Sequence, residues 1–160
     1  MIRKKRCSAI RRVEQFFGRL RTFWLRLDVD LLTILPTVFS SSCFRSIRAS
    51  SVLHKKTKLY GPMNALDEGN HSSSWNSEGN QKGETSLVME FGRGVVPTVV
   101  KFQFQAGFSA ETCQVYAAVE ENGGETKLLD ELEFDDIHEL QEHELANNNA
   151  PTTSLMFVFE

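Results

Sequence analysis

The residues with most chemistry to offer are His138 and His143, which bracket the string HELQEH. A zincin helix sets two histidines four apart so that both imidazoles share one face. Here the offset is five, which separates them by about 140° on a helix and puts them on opposite faces of a strand. The inverted form H-x-x-E-H fails by one residue. Both therefore read as surface histidines in an acidic patch. Cys113 has no basic neighbour in sequence to stabilise a thiolate and reads as a buried apolar thiol. No G-x-S-x-G occurs, and Gly92-Arg93-Gly94 lacks the strand-loop-helix setting of a phosphate cradle. The chain reads as a non-enzyme without a cofactor.

Two further groups suit binding better than catalysis. Asp67, Asn70 and Ser72 offer three side-chain oxygens, whereas Ca²⁺ takes about six to eight, so an Asx-turn is the better reading and Ca²⁺ the lesser one. Trp75 could present a ring face to a hexose, but the alternative, a loop anchor sunk in the core, is the more usual use of such a ring. Asn70-His71-Ser72 is a glycosylation acceptor only in a secreted chain.

The elements that must position these residues divide by charge. Residues 1–48 hold 11 Lys and Arg against 3 acids, a net +8, and residues 49–160 hold 7 against 18, a net −11. Such asymmetry marks an appended segment, so residues 1–46 are read as a basic leader and 47–160 as one domain, long enough for a single core. In the leader, apolar residues at 16, 20, 23, 24, 27, 31, 34, 35 and 38 follow helical spacing with Arg19, Arg21 and Arg26 among them. This predicts an amphipathic basic helix, with disorder or a mitochondrial transit peptide as the alternatives. A membrane span is excluded because Arg26, Asp28, Asp30 and Pro36 interrupt the apolar run, each charge costing roughly 2.5–3.5 kcal/mol at mid-bilayer. Three cysteines, of which only Cys113 lies in the domain, point to a reducing compartment.

The acidic part reads as all-β. Leu87–Phe91, Val95–Gln105, Thr112–Val119, Lys127–Leu132 and Ser154–Phe159 are short apolar or alternating runs separated by Gly, Asn, Pro and Ser. Val100, Phe102 and Phe104 alternate with Lys101, Gln103 and Gln105, one face in and one out. Leu155, Phe157 and Phe159 repeat the alternation, but Met156 and Val158 make the second face apolar too, so this strand belongs deep in the sandwich. Asn122-Gly123-Gly124 supplies the positive φ of a tight turn and predicts a hairpin from about Val115 to Leu132. Residues 135–146 leave helix and short edge strand both open. A net −11 repels phosphate, so the domain by itself is not a nucleic-acid binder. Its one basic cluster, Lys55, Lys56 and Lys58, reads as a solvated loop or a protein contact.

Leu66, Asp67 and Glu68, followed by Ser74, Trp75, Asn76 and Ser77, resemble the acidic turn and Trp segment of the galactose-binding-like superfamily, the jelly-roll β-sandwich of discoidin and coagulation-factor C-type domains. Within it, SSVLHKKTKLYG, LDEGNHSSSWNSEG, LVMEF, KFQFQAGF and FVFE, in that order, resemble a family of single-domain nuclear-receptor-associated repressors, over about Ile47 to Glu160. The resemblance implies an intracellular, nuclear or cytoplasmic, non-catalytic module that binds a protein partner such as a nuclear receptor, with a carbohydrate-binding lectin-like module as the alternative. It places the contact surface at Asp67, Asn70, Trp75, Asn76, Gln103, Gln105 and Phe108. Two features depart from the family pattern. The chain stops at Glu160 where the family continues through another strand, so the sandwich is expected to lack its last strand, and the basic leader has no counterpart.

Overall fold

The computed structural model describes residues 24–32, 44–66, 73–79, 84–118, 126–145 and 150–160. Eight strands appear among them: β1 (Trp24–Leu32), β2 (Phe44–Ala49), β3 (Trp75–Asn76), β4 (Thr85–Phe104), β5 (Thr112–Ala118), β6 (Thr126–Glu133), β7 (Gln141–Glu144) and β8 (Thr152–Phe159). All pairings are antiparallel. One helical turn, α1 (Thr57–Tyr60), lies between two 3₁₀ turns, Leu53–Lys55 and Pro62–Leu66.

β4 organises the sandwich by belonging to both of its sheets. Its first half pairs with β2 and β8, giving the order β2-β4-β8-β5-β6; its second half pairs with β1 and β7, giving β3-β1-β4-β7. Where the strand crosses over, the buried parity flips. Thr85, Leu87, Met89 and Phe91 are buried in the first half, and Val100, Phe102 and Phe104 in the second, with Gly92, Arg93 and Gly94 exposed between them. The register to β8 jumps from Glu90 to Val95 at the same place. A bulge of this kind turns a strand so that it keeps one face on the core while changing sheets. Gly92-Arg93-Gly94, which in sequence separates two strands, is thus the corner of one strand. A Cβ at Gly94 would lie 3.0 Å from Pro151 Cβ, so the corner is closely packed.

The core lies between the sheets. Phe102 packs edge-on against Phe157 and Phe159 of the opposite sheet, with ring centroids 5.6 and 6.1 Å away. Leu87, Leu155, Val100, Val115 and Cys113 are fully buried around them. β8 sits between β4 and β5, and Leu155, Phe157 and Phe159 face inward while Val158 is 5% exposed on the other face, in line with the double-sided apolar pattern. β2 is fastened to β4 by Ser46 and Arg48, which both donate to the Glu90 carboxylate. The Ser46 hydrogen bond, helped by Arg48, holds that carboxyl below its ordinary range.

Three expectations meet the structure here. Residues 24–32, assigned by helical spacing to an amphipathic helix of the leader, form β1, paired with β3 and β4; the sheets therefore take in chain N-terminal to Ile47. The same stretch also alternates, with Leu25, Leu27, Val29 and Leu31 around Arg26, Asp28 and Asp30, and pairing with β4 satisfies that period of two rather than the period of 3.6. The β5–β6 hairpin is present, from Thr112↔Glu133 to Ala118↔Thr126; its Asn122-Gly123-Gly124 turn lies outside the described residues. Of residues 135–146, left open between helix and strand, Gln141–Glu144 form the short edge strand β7.

Candidate functional site

Antiparallel register gathers one set of chain segments at the Phe104 end of the sandwich. Phe104 pairs with Leu25, Leu25 with Trp75, and Thr112 with Glu133, while Glu111 N and Glu160 O are bonded at 2.9 Å. Beyond Phe104 the chain turns tightly. Phe108 N donates to Gln105 O at 2.8 Å, with Gly107 at φ 86°, a conformation that suits glycine. Phe108 at the tip is 45% exposed.

This turn is tied to the segment between β6 and β7. Asp136 Oδ1 accepts from Gly107 N at 2.6 Å and from Ser109 Oγ at 2.8 Å. Gln103 Nε2 donates to His138 O at 3.1 Å, and His138 Nδ1 lies 3.1 Å from Phe104 O, which puts a ring proton on Nδ1. Gln141 closes the segment on itself, its Oε1 accepting from Asp135 N and its Nε2 donating to Asp135 O. The result is a rim on which Phe108, Ile137 and Leu140 stay exposed. Around them stand the exposed acids Glu111, Glu133, Asp135, Asp136, Glu139 and Glu142. Residues 130–144 carry eight acids and no Lys or Arg; Lys101 approaches this strand from β4, 3.9 Å from Glu142.

Of the seven residues expected at the contact surface, the structure joins three here: Gln103, Gln105 and Phe108. Trp75 is elsewhere in function. It is fully buried, its ring 6.1 Å from that of Phe159 and its Nε1 donating to Ser51 O at 2.9 Å. It is a core anchor, the reading preferred from the sequence, and so not part of the exposed contact surface. Asn76 stands beside it on β3, paired with Trp24 and accepting from Ser74 Oγ at 2.9 Å. Asp67 and Asn70, with Ser72 and the sequon, lie outside the described residues.

Burial separates the titratable groups of the sandwich. His138 is exposed, but His143 is half-buried, with its ring centroid 5.1 Å from that of Phe134 and 6.3 Å from that of Phe102. Its Nε2 is shielded from water with no hydrogen-bond partner. Burial lowers its pKa, against an opposing pull from Asp130, so this is an aromatic-cluster residue rather than the surface histidine that the spacing suggests. Cys113 is fully buried, and desolvation pushes its thiol far up, the reverse of an activated nucleophile. Among the described residues no three His, Cys, Asp or Glu side chains gather in a way that could hold a metal ion, and no helix is long and apolar enough to cross a membrane. Lys55, Lys56 and Lys58 are exposed around α1, beside the exposed Leu59 and Met63.

Ile137 and Leu140 were missing from the sequence-based surface. Their signal was present as two apolar residues in an otherwise acidic and polar string, but helix-or-strand ambiguity over 135–146 concealed that they would remain exposed.

No family model matches the chain. It is similar to the nuclear receptor 2C2-associated protein of Xenopus tropicalis, 29% identical over 111 residues, which are 69% of this chain and 78% of the relative. The Xenopus laevis protein of the same name is 28% identical over the same extent. That of Danio rerio is 38% identical over 69 residues, 42% of this chain and 46% of the relative. In structure the chain is similar to the crystallised F5/8 type C domain of a Bacteroides fragilis protein, with a TM-score of 0.63 at 16% identity, over 82% of this chain and 86% of that one. Both levels of the resemblance read from the sequence are supported: the chain is similar to the nuclear receptor 2C2-associated proteins and has the galactose-binding-like, discoidin-type β-sandwich fold.

Proposed function

We propose that this chain is a non-catalytic, intracellular protein-interaction module that binds a nuclear receptor through the Phe108 rim and so represses receptor-driven transcription. One observation carries the reading: an aromatic side chain, Phe108, held exposed on a turn whose backbone is fixed by Asp136. An exposed aromatic on a rigid support loses little entropy on binding and is the kind of residue that dominates interface energies. The names of the relatives supply the partner class, a nuclear receptor. The rim's acids favour a partner face that is basic, by charge complementarity.

The test is capture of partners from cell extract by the tagged full chain, with elution repeated in free galactose and in chelator. Recovery of nuclear receptors, insensitive to both, supports the module. Glycoproteins released by galactose or chelator would replace it with the carbohydrate-binding alternative.

A further inference from the structure

The rim has a cationic candidate occupant in the same chain. Residues 1–23 contain Arg3, Lys4, Lys5, Arg6, Arg11, Arg12, Arg19 and Arg21 against Glu14 alone, a net +7. The register fixes where this segment meets the sandwich. β1 begins at Trp24, and Leu25 pairs with Phe104, so the chain comes into β1 beside Gln105, at the same end as Phe108 and Asp136. Arg19 and Arg21 lie five and three residues before Trp24, within roughly 10–18 Å of it even in an extended chain.

The rim offers the matching chemistry. Asp135, Asp136, Glu139 and Glu142 are exposed there with Phe108, Ile137 and Leu140 between them, and β7 is the outer strand of its sheet. The basic segment carries apolar residues of its own, among them Val13, Phe16, Phe17 and Leu20. Short tethering raises the effective concentration of such a segment to about the millimolar range, so even a weak match is occupied without dilution losses.

We infer that residues 1–23 dock in cis on the acidic, apolar rim formed by Phe108, Ile137 and Leu140 with Asp135, Glu139 and Glu142, and cover it until a basic partner face displaces them. This deepens the proposed function and rests on the rim being a contact surface. Its test, however, needs no partner. The full chain is treated with a zero-length carbodiimide reagent at low ionic strength, and the products are mapped by peptide mass spectrometry. The expected products join Lys4 or Lys5 to Asp135, Glu139 or Glu142 within one chain, with a yield unchanged on about tenfold dilution and falling as salt screens the charges. In the full-chain double variant Glu139→Lys, Glu142→Lys, coupling of Lys4 and Lys5 to the retained carboxylate of Asp135 drops at least about tenfold, because two attractive contacts become repulsive. Coupling spread evenly over Glu84, Glu90 and Glu131 as well, coupling that vanishes on dilution, or no coupling to the rim at all would each overturn the inference. Partner capture that fails while cross-linking succeeds would count against the proposed function alone.

Discussion

Replacing Trp75 by Phe separates a core anchor from a ligand platform, because it keeps a flat aromatic ring while removing the indole N–H. In the structure that N–H, on a fully buried ring, donates to the O of half-buried Ser51 at 2.9 Å. Leaving a part-buried carbonyl without its donor costs about 1–3 kcal/mol. The smaller ring also empties roughly 40 Å³ beside Phe159, which at ~24 cal/mol per Å³ adds about 1 kcal/mol. The sum, about 2–4 kcal/mol, is a large share of the roughly 5–15 kcal/mol that holds a domain together. At about 2–4 °C per kcal/mol for a chain of this size, the expected fall in melting temperature is near 10 °C. Differential scanning calorimetry of both proteins reads it directly. A melting temperature unchanged within about 2 °C would refute the reasoning, since it would mean that the ring is exposed and the Ser51 bond absent.

Four further outcomes follow from other parts of the fold. At Gly61 a Cβ would lie 2.2 Å from Thr57 O, so Gly61→Ala should destabilise by about 1–3 kcal/mol in urea titration, and a neutral result would mean α1 is not packed as described. The pKa of His143 is lowered by burial, so the unfolded chain binds that proton more tightly. Stability should fall as pH drops below the ordinary histidine value of about 6.5 and level off below the folded-state pKa. The variant His143→Leu should lose stability less steeply between pH 7.5 and 5, and equal slopes would contradict the burial argument. Asp136→Ala removes the acceptor for Gly107 N and Ser109 Oγ; amide exchange at Gly107 should accelerate by about tenfold, as expected for loss of one or two exposed hydrogen bonds, with little change in the melting temperature. Cys113 should resist maleimide under native conditions and react once urea unfolds the chain, because its thiol is buried and held protonated; prompt labelling of the folded protein would contradict this.

What could be read from the sequence depended on whether a residue's role is local. The alternation of Val100, Phe102 and Phe104 and the two-sided pattern of Leu155 to Phe159 are properties of single strands, and both match the burial observed. The crossing of β4 between sheets was not legible, because glycines mark a turn and a strand corner equally well. β1 was hidden by a stretch that satisfies two periods at once, and only its pairing with β4 decides between them. At the candidate site, Gln103, Gln105 and Phe108 fall together because they lie at the end of β4 and on the turn that follows it. Ile137 and Leu140 reach it from about thirty residues away through Asp136 and His138, a contact that no local pattern encodes.

The claim that this is a protein-interaction module acting through the Phe108 rim is tested most directly by titrating purified nuclear receptor 2C2 against the full chain and its Phe108→Asp variant, with matched circular dichroism and melting curves. Phe108 is surface-exposed, so the variant should fold normally while losing about 2 kcal/mol or more of binding, roughly thirtyfold in Kd, as expected for a central aromatic contact. Full-strength binding by a folded Phe108→Asp protein would contradict the account, and loss of binding in Leu59→Asp instead would move the contact surface to the basic face around α1.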